Sequence, residues 1–98
     1  MALFDLVGRR WALRVLWEVA QADAPITFRA LQARCADVSS SVLATRIREL
    51  RAAGLLARRE GGYALTTLGK SLLLNLRPLQ DWAETWAARE AEPPTPAA

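Results

Sequence analysis

The strongest constraint on the fold lies in residues 37–66, which read DVSSSVLATRIRELRAAGLLARREGGYALT. Ser39 can cap the first turn of a helix, and Gly54 can take the left-handed conformation that ends one. The residues after Gly54 predict a strand over 55–59, a hairpin loop at Gly61-Gly62 and a return strand over 63–65. The stretch therefore predicts a helix of roughly four turns followed at once by a small β-hairpin.

The predicted helix has two unlike faces. Leu43, Ile47, Leu50 and Leu55 form an apolar row. The opposite face carries small, hydroxylated or cationic side chains: Ser41, Ala44, Thr45, Arg48 and Ala52. Because long acidic side chains are missing from this face, an anionic rod could lie close along it. An ordinary surface helix is the alternative, although such helices usually mix charges of both signs.

Charge is distributed unevenly along the chain. The net charge is +3, yet residues 26–59 hold seven arginines against two acidic residues, a local charge of +5, and residues 60–98 carry −2. Twelve of the thirteen basic residues are arginine, which suits bidentate contacts with phosphate and guanine. This asymmetry is typical of a protein with a nucleic-acid-binding face.

Composition excludes several classes of function. A single cysteine excludes an internal disulfide, and the absence of histidine excludes a Cys/His metal cluster and histidine-based catalysis. We therefore expect no cofactor, no metal and no enzymatic activity. No apolar run approaches the ~20 residues that span a bilayer, and Asp5, Arg9 and Arg10 interrupt any signal-peptide pattern. A cytoplasmic protein without a membrane partner is expected.

A second helix is predicted directly before the first. Thr27 can cap it, and Phe28, Leu31 and Cys35 would share its apolar face. Cys35 is then most simply a small buried side chain rather than a redox centre. Residues 36–38 leave a turn of helix-turn-helix length, in which Asp37 is expected to take the left-handed position.

Two further helices are predicted at the N-terminal end. Residues 9–20 are apolar on most of their circumference, which is typical of a central helix that packs on its own core and on another subunit. Arg14 and Glu18 can pair on its polar strip. Residues 1–7 should form a short helical arm, and a single chain would bury its apolar side chains poorly.

A long helix is predicted from the cap Thr66 to about residue 88. Its apolar residues alternate spacings of four and three, the pattern of a helix packed along a partner: Leu72, Leu76, Leu79, Ala83 and Trp86. Intramolecular packing is the alternative. Pro78 should kink or divide this helix. A globular domain is thus expected over residues 1–89, with a disordered tail over 90–98.

These motifs resemble a known family. Residues 8–16 (GRRWALRVL) are similar to the GGKW-x-L-x-IL opening of HxlR-type winged-helix transcriptional regulators, which belong to the MarR-like superfamily. Residues 39–56 resemble their S-x-x-x-L-x-x-x-L-R-E-L-x-x-x-GL stretch, and residues 63–69 their Y-x-L-T-x-x-G. The L-x-x-W near the family's end is matched by residues 79–82. The resemblance runs from about Gly8 to Trp86.

The resemblance implies a mainly α-helical winged helix-turn-helix fold with a small β-hairpin, dimerising through its N- and C-terminal helices. It implies a homodimer on a pseudopalindromic double-stranded DNA operator, with one recognition helix in each half-site. The groove-facing positions would be Ser39, Ser40, Ser41, Ala44, Thr45 and Arg48. Arg58 would take the phosphate position at the base of the wing. We expect further DNA-backbone contacts from Arg29, Arg46, Arg51 and Arg59.

Three departures from the family pattern limit which family properties are expected of this chain. The wing is cut to a stub at residues 60–63, so it is not expected to reach far into a minor groove. The second helix reads TFRAL where the family has R-F-x-E-L, which removes one basic contact and moves another. The cysteine that several members place before their first helix is absent from residues 1–7, so thiol-based sensing is not inherited.

Self-association is expected to use apolar residues near both ends of the domain: Leu3, Phe4, Trp11, Leu72, Leu76, Leu79, Trp82 and Trp86. Two other functions stay open. The chain could be a winged-helix module that docks a partner protein through its Trp-rich helices. It could also be a regulator that senses a small apolar ligand between Trp11, Trp17, Trp82 and Trp86, although the effector is unknown.

Overall fold

The computed structural model describes residues 2–90, which form five helices and one two-stranded antiparallel sheet. The mainly α-helical architecture with one hairpin agrees with the predicted winged helix-turn-helix fold. The elements follow in the order α1 (Ala2–Val7), α2 (Ala12–Gln21), α3 (Phe28–Arg34), α4 (Ser40–Ala52), β1 (Leu56–Arg59), β2 (Gly62–Leu65) and α5 (Thr67–Glu90).

Helix α2 lies at the centre of the molecule. It contacts α1, α3, α4, α5 and β2, and it buries one face made by Ala12, Val15, Leu16 and Val19. The core around this face contains Ile26, Leu31, Cys35, Val38, Leu43, Ile47, Leu50, Leu55 and Leu56. The predicted apolar row of α4 is therefore part of the core. The opposite side of α2 leaves Leu13 and Trp17 more than one third exposed.

Helix α2 begins at Ala12, and the prediction that it would start at Arg9 is wrong. Trp11 precedes it with a φ of 75°, a left-handed conformation that a bulky side chain rarely takes. Such a residue costs on the order of 1–3 kcal/mol and persists only where its surroundings hold it. The turn over residues 8–11 thus separates α1 from α2 at a strained point.

The helix-turn-helix is formed by α3 and α4. Thr27 caps α3 by accepting from the Ala30 N–H at 3.2 Å, and Ser39 caps α4 by accepting from the Val42 N–H at 3.2 Å. Both predicted caps are confirmed. The left-handed residue of the turn is Ala36, with a φ of 55°, and not Asp37. Because α3 ends at Arg34 with Cys35 as its C-cap, the position that favours a left-handed residue falls on Ala36.

The hairpin turns one residue earlier than predicted. Leu56 pairs with Leu65 and Arg59 with Gly62, so the loop is Glu60-Gly61 rather than Gly61-Gly62. Tyr63 also forms a bridge to Ile26, with backbone bonds of 2.9 and 2.8 Å between the two residues. A Cβ at Gly62 would lie 2.2 Å from the Ile26 carbonyl oxygen. Gly62 is therefore needed inside the strand, where Ile26 approaches it.

Helix α5 is the longest element. Thr66 caps it by accepting from the Gly69 N–H at 3.0 Å, as predicted, and its hydroxyl also donates to the Gly54 carbonyl. The helix runs through Pro78 without division. Its 24 residues span about 36 Å at about 1.5 Å per residue. Since residues 81–89 are all exposed, the C-terminal part of α5 extends beyond the core.

The predicted tail begins at residue 90, which α5 still includes, and its residues 91–98 lie outside the described part of the chain. Among residues 2–90, no helix is both long and apolar enough to cross a membrane. Within the same residues, no three His, Cys, Asp or Glu side chains come together as metal ligands.

Cys35 belongs to the core, as expected, and is 1% exposed. Burial raises the pKa of its thiol, the nearby Arg14 guanidinium lowers it by a smaller effect, and Glu18 raises it slightly. The thiol is therefore held in its neutral form and is a weaker nucleophile than an exposed cysteine.

The tight contact at Gly62 predicts a large effect of Gly62→Ala. The new methyl group would collide with the Ile26 backbone at a φ of 145°, so we expect the free energy of unfolding to fall by at least about 2 kcal/mol in urea titrations. Gly61→Ala is the matched control, because its nearest neighbour would be Pro25 Cβ at 4.0 Å. Its left-handed φ of 92° should cost only about 1 kcal/mol. Equal losses in both variants would contradict the Ile26 contact.

The raised thiol pKa predicts a loss of stability at alkaline pH. Folding raises the pKa of the Cys35 thiol, so the folded protein holds this proton to a higher pH than the unfolded chain, and ionisation favours unfolding. This contribution is fully present below the ordinary pKa and is lost as pH rises above it, by up to about 1.4 kcal/mol per pH unit. The free energy of unfolding of the wild type and of Cys35→Ala should be measured by urea titration between pH 7 and about pH 10. Plotted against pH, the two free energies should diverge at high pH. Parallel plots would refute the raised pKa of the Cys35 thiol.

Candidate nucleic-acid interface

The outward face of α4 is free of acidic side chains. Ser41, Arg48 and Arg51 are exposed on this helix, and Ala44 and Thr45 are half-buried. Glu49 is the only acidic residue in α4. Its carboxylate lies 3.1 Å from the Arg9 guanidinium and pairs with Arg46 as well. Because Glu49 is neutralised by two cations, the charge presented by α4 is positive.

Three serines surround the N-terminus of α4. The Ser39 hydroxyl caps the helix and lies 3.3 Å from the Ser41 hydroxyl. Gln32 of α3 donates to the Ser40 hydroxyl at 3.1 Å and to the Val38 carbonyl at 3.4 Å. Gln32 therefore fixes the turn between the two helices. The sequence held no signal for this role, since one glutamine within a short helix has no distinctive spacing.

Thr45 has a restricted hydrogen-bonding capacity. Its hydroxyl donates to the Ser41 carbonyl at 2.9 Å, one turn earlier in α4. With its hydrogen used inside the helix, the Thr45 oxygen can only accept a bond from a ligand. Arg48, one turn further along the same helix, offers donors alone. Acceptors and donors are thus arranged in order along the outer face of α4.

An open cleft of about 700 Å³ lies between α4 and the hairpin. Four of the predicted site residues line it: Ala44, Arg48, Arg51 and Arg58. Its remaining wall consists mainly of apolar and aromatic side chains, from Phe28, Ile47, Ala52, Leu56, Ala57 and Tyr63. Three guanidinium groups around one shallow depression form a site suited to an anionic, phosphate-bearing ligand.

Tyr63 positions Arg58 in this cleft. The Arg58 guanidinium lies 5.6 Å from the centre of the Tyr63 ring and donates to the Tyr63 hydroxyl at 3.3 Å. The two residues are directly opposite each other in the hairpin. The predicted loop at Gly61-Gly62 lies one residue too late and puts Arg58 opposite Leu65, so this pair was not predicted. A loop at Glu60-Gly61 would have revealed the pairing.

The other predicted cationic residues lie elsewhere. Arg29 is exposed on α3, and Arg59 is exposed on β1 with its guanidinium 3.5 Å from the Arg58 carbonyl. Arg46 faces inward: its side chain is 17% exposed, and its Nε donates to the Arg10 carbonyl at 2.9 Å. The geometry thus groups Arg48, Arg51 and Arg58, and it leaves Arg46 engaged within the protein.

The residues expected to mediate self-association fall into two groups. Trp11 and Leu72 are half-buried and pack against the core, and Leu76 is also half-buried. The remaining five are exposed by between 43% and 64% of their surface: Leu3, Phe4, Leu79, Trp82 and Trp86. Trp82 and Trp86 stack on each other, with ring centres 6.4 Å apart. Large apolar side chains thus remain uncovered on both terminal helices.

Of the four tryptophans considered above for an apolar ligand, Trp17 alone lines the groove between α2 and α5. A groove of about 790 Å³ runs between α2 and α5, and Trp17 lines it together with Leu65, Leu73 and Leu74. Trp11, Trp82 and Trp86 are not among its lining residues. The groove also carries both signs of charge, from Lys70 and Arg77 and from Asp23, Asp81 and Glu84.

Comparison with known proteins agrees with this architecture. The chain is similar to a helix-turn-helix-type transcriptional regulator, itself uncharacterised, from Halalkalibacterium halodurans, with 30% identity over 80% of this chain and 74% of that protein. Among solved structures, a possible HxlR family transcriptional factor from Thermoplasma volcanium superposes with a TM-score of 0.81 and 25% identity, over 88% of this chain and 82% of the other. Quinone-bound YodB from Bacillus subtilis gives a TM-score of 0.77 and 27% identity, over 86% and 93% of the two chains.

The family model for HxlR-like helix-turn-helix proteins matches residues 6–91, which include every helix and strand except the first part of α1. The match spans the helix-turn-helix, the hairpin and the long terminal helix, the same parts on which the sequence resemblance rests. The chain is therefore a member of the HxlR-like family of helix-turn-helix transcriptional regulators.

Proposed function

We propose that this regulator is a sequence-specific double-stranded DNA-binding protein that acts as a homodimer on a pseudopalindromic operator. Its family membership and helix-turn-helix fold support a role in transcription. No enzymatic activity is part of the proposal. Because its target would be chromosomal DNA, we propose that it acts in the cytoplasm.

The observation that carries the proposal is the cationic cleft between α4 and the hairpin, which no acidic side chain lines. Arg48, Arg51 and Arg58 line one cleft, and the only carboxylate of α4 is paired with Arg9 and Arg46. A groove of duplex DNA presents phosphates along both rims, so a like-charged acidic residue on this face would weaken binding. The ion pairs of Glu49 remove that obstacle.

We assign base reading to the N-terminal and middle parts of α4, the helix that would enter the major groove. The residues are those predicted from the sequence: Ser39, Ser40, Ser41, Ala44, Thr45 and Arg48. Arg48 is the strongest candidate for a direct base contact, since arginine can donate two hydrogen bonds to the edge of guanine. Thr45 offers an acceptor for a base amino group.

Contacts with the DNA backbone are assigned to Arg29, Arg51, Arg58 and Arg59. Arg58 is held by Tyr63 at the mouth of the cleft, so its guanidinium is already oriented before binding. Arg46 is left out of this group, because its donors bind the Arg10 carbonyl and Glu49. The loop Glu60-Gly61 is short and acidic, so the wing is assigned no minor-groove contact.

The exposed apolar residues of α1 and α5 support the homodimer. Phe4, Leu79, Trp82 and Trp86 are each more than half exposed in one chain. Large apolar side chains clustered on helices are characteristic of protein interfaces. A second copy could cover them with its own terminal helices, which is the arrangement that the sequence pattern of α5 predicts.

Arginine variants and salt titration test DNA binding and the role of each side chain. Operators would be selected from a random duplex pool, and the affinities for operator and random DNA measured across salt concentrations. Arg48→Ala should reduce the preference for operator by about 1–3 kcal/mol. Arg58→Gln should weaken both duplexes alike and reduce the salt slope by about one.

Arg89→Ala is the control for net charge, since Arg89 is exposed near the end of α5 and away from the cleft. It should leave the preference for operator unchanged. If Arg48→Ala retains the full preference, α4 is not the reading helix. If wild-type affinity for DNA hardly responds to salt, the basic face is incidental, and the alternative of a protein-docking module is favoured.

Two leucines on α5 test the homodimer. Leu79 and Leu68 are exposed to nearly the same extent, 57% and 59%, but only Leu79 belongs to the predicted interface. Mass measurement at micromolar concentration should give a dimer for the wild type and for Leu68→Glu, and a monomer for Leu79→Glu, because the buried charge would lack a partner. A wild-type monomer would refute the proposal. A dimer for Leu79→Glu would place the interface elsewhere, and dissociation by both variants would contradict an interface that excludes Leu68.

A further inference from the structure

The turn between α1 and α2 is held by the inner side of α4. Arg46, which projects from α4, donates its Nε–H to the Arg10 carbonyl at 2.9 Å, across 36 residues of sequence. The same side chain pairs with Glu49, one turn further along α4. The second carboxylate oxygen of Glu49 lies 3.1 Å from Arg9 Nε. Arg46 and Glu49 of α4 therefore bind two consecutive residues of the turn, Arg10 and Arg9.

The position of these contacts is significant because the next residue, Trp11, has a strained backbone conformation. The Arg10 carbonyl belongs to the peptide that connects Arg10 to Trp11, and the orientation of this peptide is set by ψ of Arg10 and φ of Trp11 together. Trp11 has the left-handed φ of 75°. Rotating Trp11 back to a negative φ would turn the Arg10 carbonyl away from Arg46. The hydrogen bond from Arg46 therefore opposes the relaxation of Trp11.

The direction of α1 depends on this turn. Helix α1 buries none of its residues completely, and Phe4 remains 64% exposed. The turn between α1 and α2 is closed by local backbone bonds, from the Gly8 N–H to the Phe4 carbonyl at 2.9 Å, from the Arg9 N–H to the Leu6 carbonyl at 3.3 Å and from the Ala12 N–H to the Arg9 carbonyl at 3.1 Å. Leu6 packs against the core, but with no fully buried residue α1 takes its direction mainly from the conformation of residues 8–11.

We propose that Arg46 and Glu49 are positioning residues that lock the Arg10–Trp11 peptide and thereby fix the N-terminal arm relative to the recognition helix α4. The inference rests on the proposed function, in which α1 contributes to the dimer and α4 reads DNA. In such a dimer, the angle between arm and recognition helix sets the separation of the two recognition helices. Arg46 and Glu49 thus determine which spacing of operator half-sites is preferred, without touching DNA.

The two residues contribute unequally. The Arg9 side chain is 52% exposed, and an ion pair with such a partner contributes little in water. Arg46 is 17% exposed and binds a backbone carbonyl. Removing the Arg46 donors should therefore have the larger effect, and removing the charge of Glu49 a smaller effect in the same direction.

The chain provides a matched control on α2. Arg14 donates to the Arg34 carbonyl at 3.0 Å and pairs with Glu18 at 2.8 Å. This arrangement repeats that of Arg46, the Arg10 carbonyl and Glu49, but it holds the end of α3 rather than the arm. Arg14→Met and Arg46→Met each remove one guanidinium that binds a carbonyl, and both keep an unbranched side chain.

Amide hydrogen exchange tests whether Arg46 and Glu49 hold the Arg10–Trp11 peptide, and the measurement needs no DNA. In Arg46→Met, the amides of Gly8, Arg9 and Ala12 should exchange at least about tenfold faster, while those of Ile47 and Leu50 in the core keep their protection. Glu49→Gln should act on the same amides to a smaller extent. Arg14→Met should leave them unchanged. Unchanged exchange at residues 8–12 in Arg46→Met, or a uniform increase over the whole chain, would overturn the proposal.

Operator spacing tests the consequence for DNA reading. Inserting one base pair between the half-sites separates them by about 3.4 Å more and rotates one against the other. The wild type should lose at least about tenfold in affinity for the altered spacing, whereas Arg46→Met should lose no more than about threefold. Arg14→Met should discriminate like the wild type. If Arg46→Met discriminates between the two half-site spacings as strongly as the wild type, then Arg46 does not determine the preferred spacing. Failure of the wild type to bind any duplex would instead refute the proposed function.

Discussion

Burial of one face of α2 organises the packing of every other element. Ala12, Val15 and Leu16 are completely buried, and Val19 almost so, against side chains from every neighbouring element. Each large side chain of this kind contributes roughly 1.5–3 kcal/mol when it leaves water. In a chain of this length no second core could replace it. Helix α4 is thereby held by its apolar row, and its opposite face is left exposed.

The polar interactions of α4 complement this packing. Glu49, Arg46 and Arg9 form a group on the side facing the turn over residues 8–11, and Arg48, Arg51 and Arg58 line the cleft on another side. The single carboxylate of α4, on Glu49, is thus paired with Arg9 and Arg46 on the side away from the cleft. The remaining cations are left for an anionic ligand. One short helix combines attachment to the core, contact with the arm and a basic face because these functions occupy different sides.

A single chain leaves large apolar side chains exposed outside its core. Leu72 and Leu73 of α5 pack against the core, whereas Leu74, Leu79, Trp82 and Trp86 are more than half exposed. The chain measures 58 Å along its longest axis and 27 and 26 Å along the others. Such an elongated shape, with an apolar helix at one end, is consistent with the proposed homodimer. It also keeps the surface proposed for self-association apart from the cleft proposed for DNA.

The local elements of the fold follow from the sequence alone. Thr27, Ser39 and Thr66 were predicted to cap their helices and do so, because capping joins residues only three apart in the chain. The apolar row of α4, the left-handed Gly54 and the concentration of arginine on residues 26–59 were also readable, since each follows from periodicity or composition. The family resemblance is also readable from the sequence, because it rests on short motifs within residues 8–16, 39–56, 63–69 and 79–82.

The features that join distant parts of the chain depend on tertiary packing. The bridge from Ile26 to Tyr63 placed the hairpin loop at Glu60-Gly61 and so brought Tyr63 opposite Arg58. Trp11 takes a left-handed conformation next to the Arg10 carbonyl that Arg46 of α4 binds, and α2 begins only at Ala12. Arg46, which the sequence pattern predicted as a phosphate contact, instead donates to the Arg10 carbonyl. The physical reason is that these contacts depend on which surfaces meet after folding, and no spacing along the sequence specifies that.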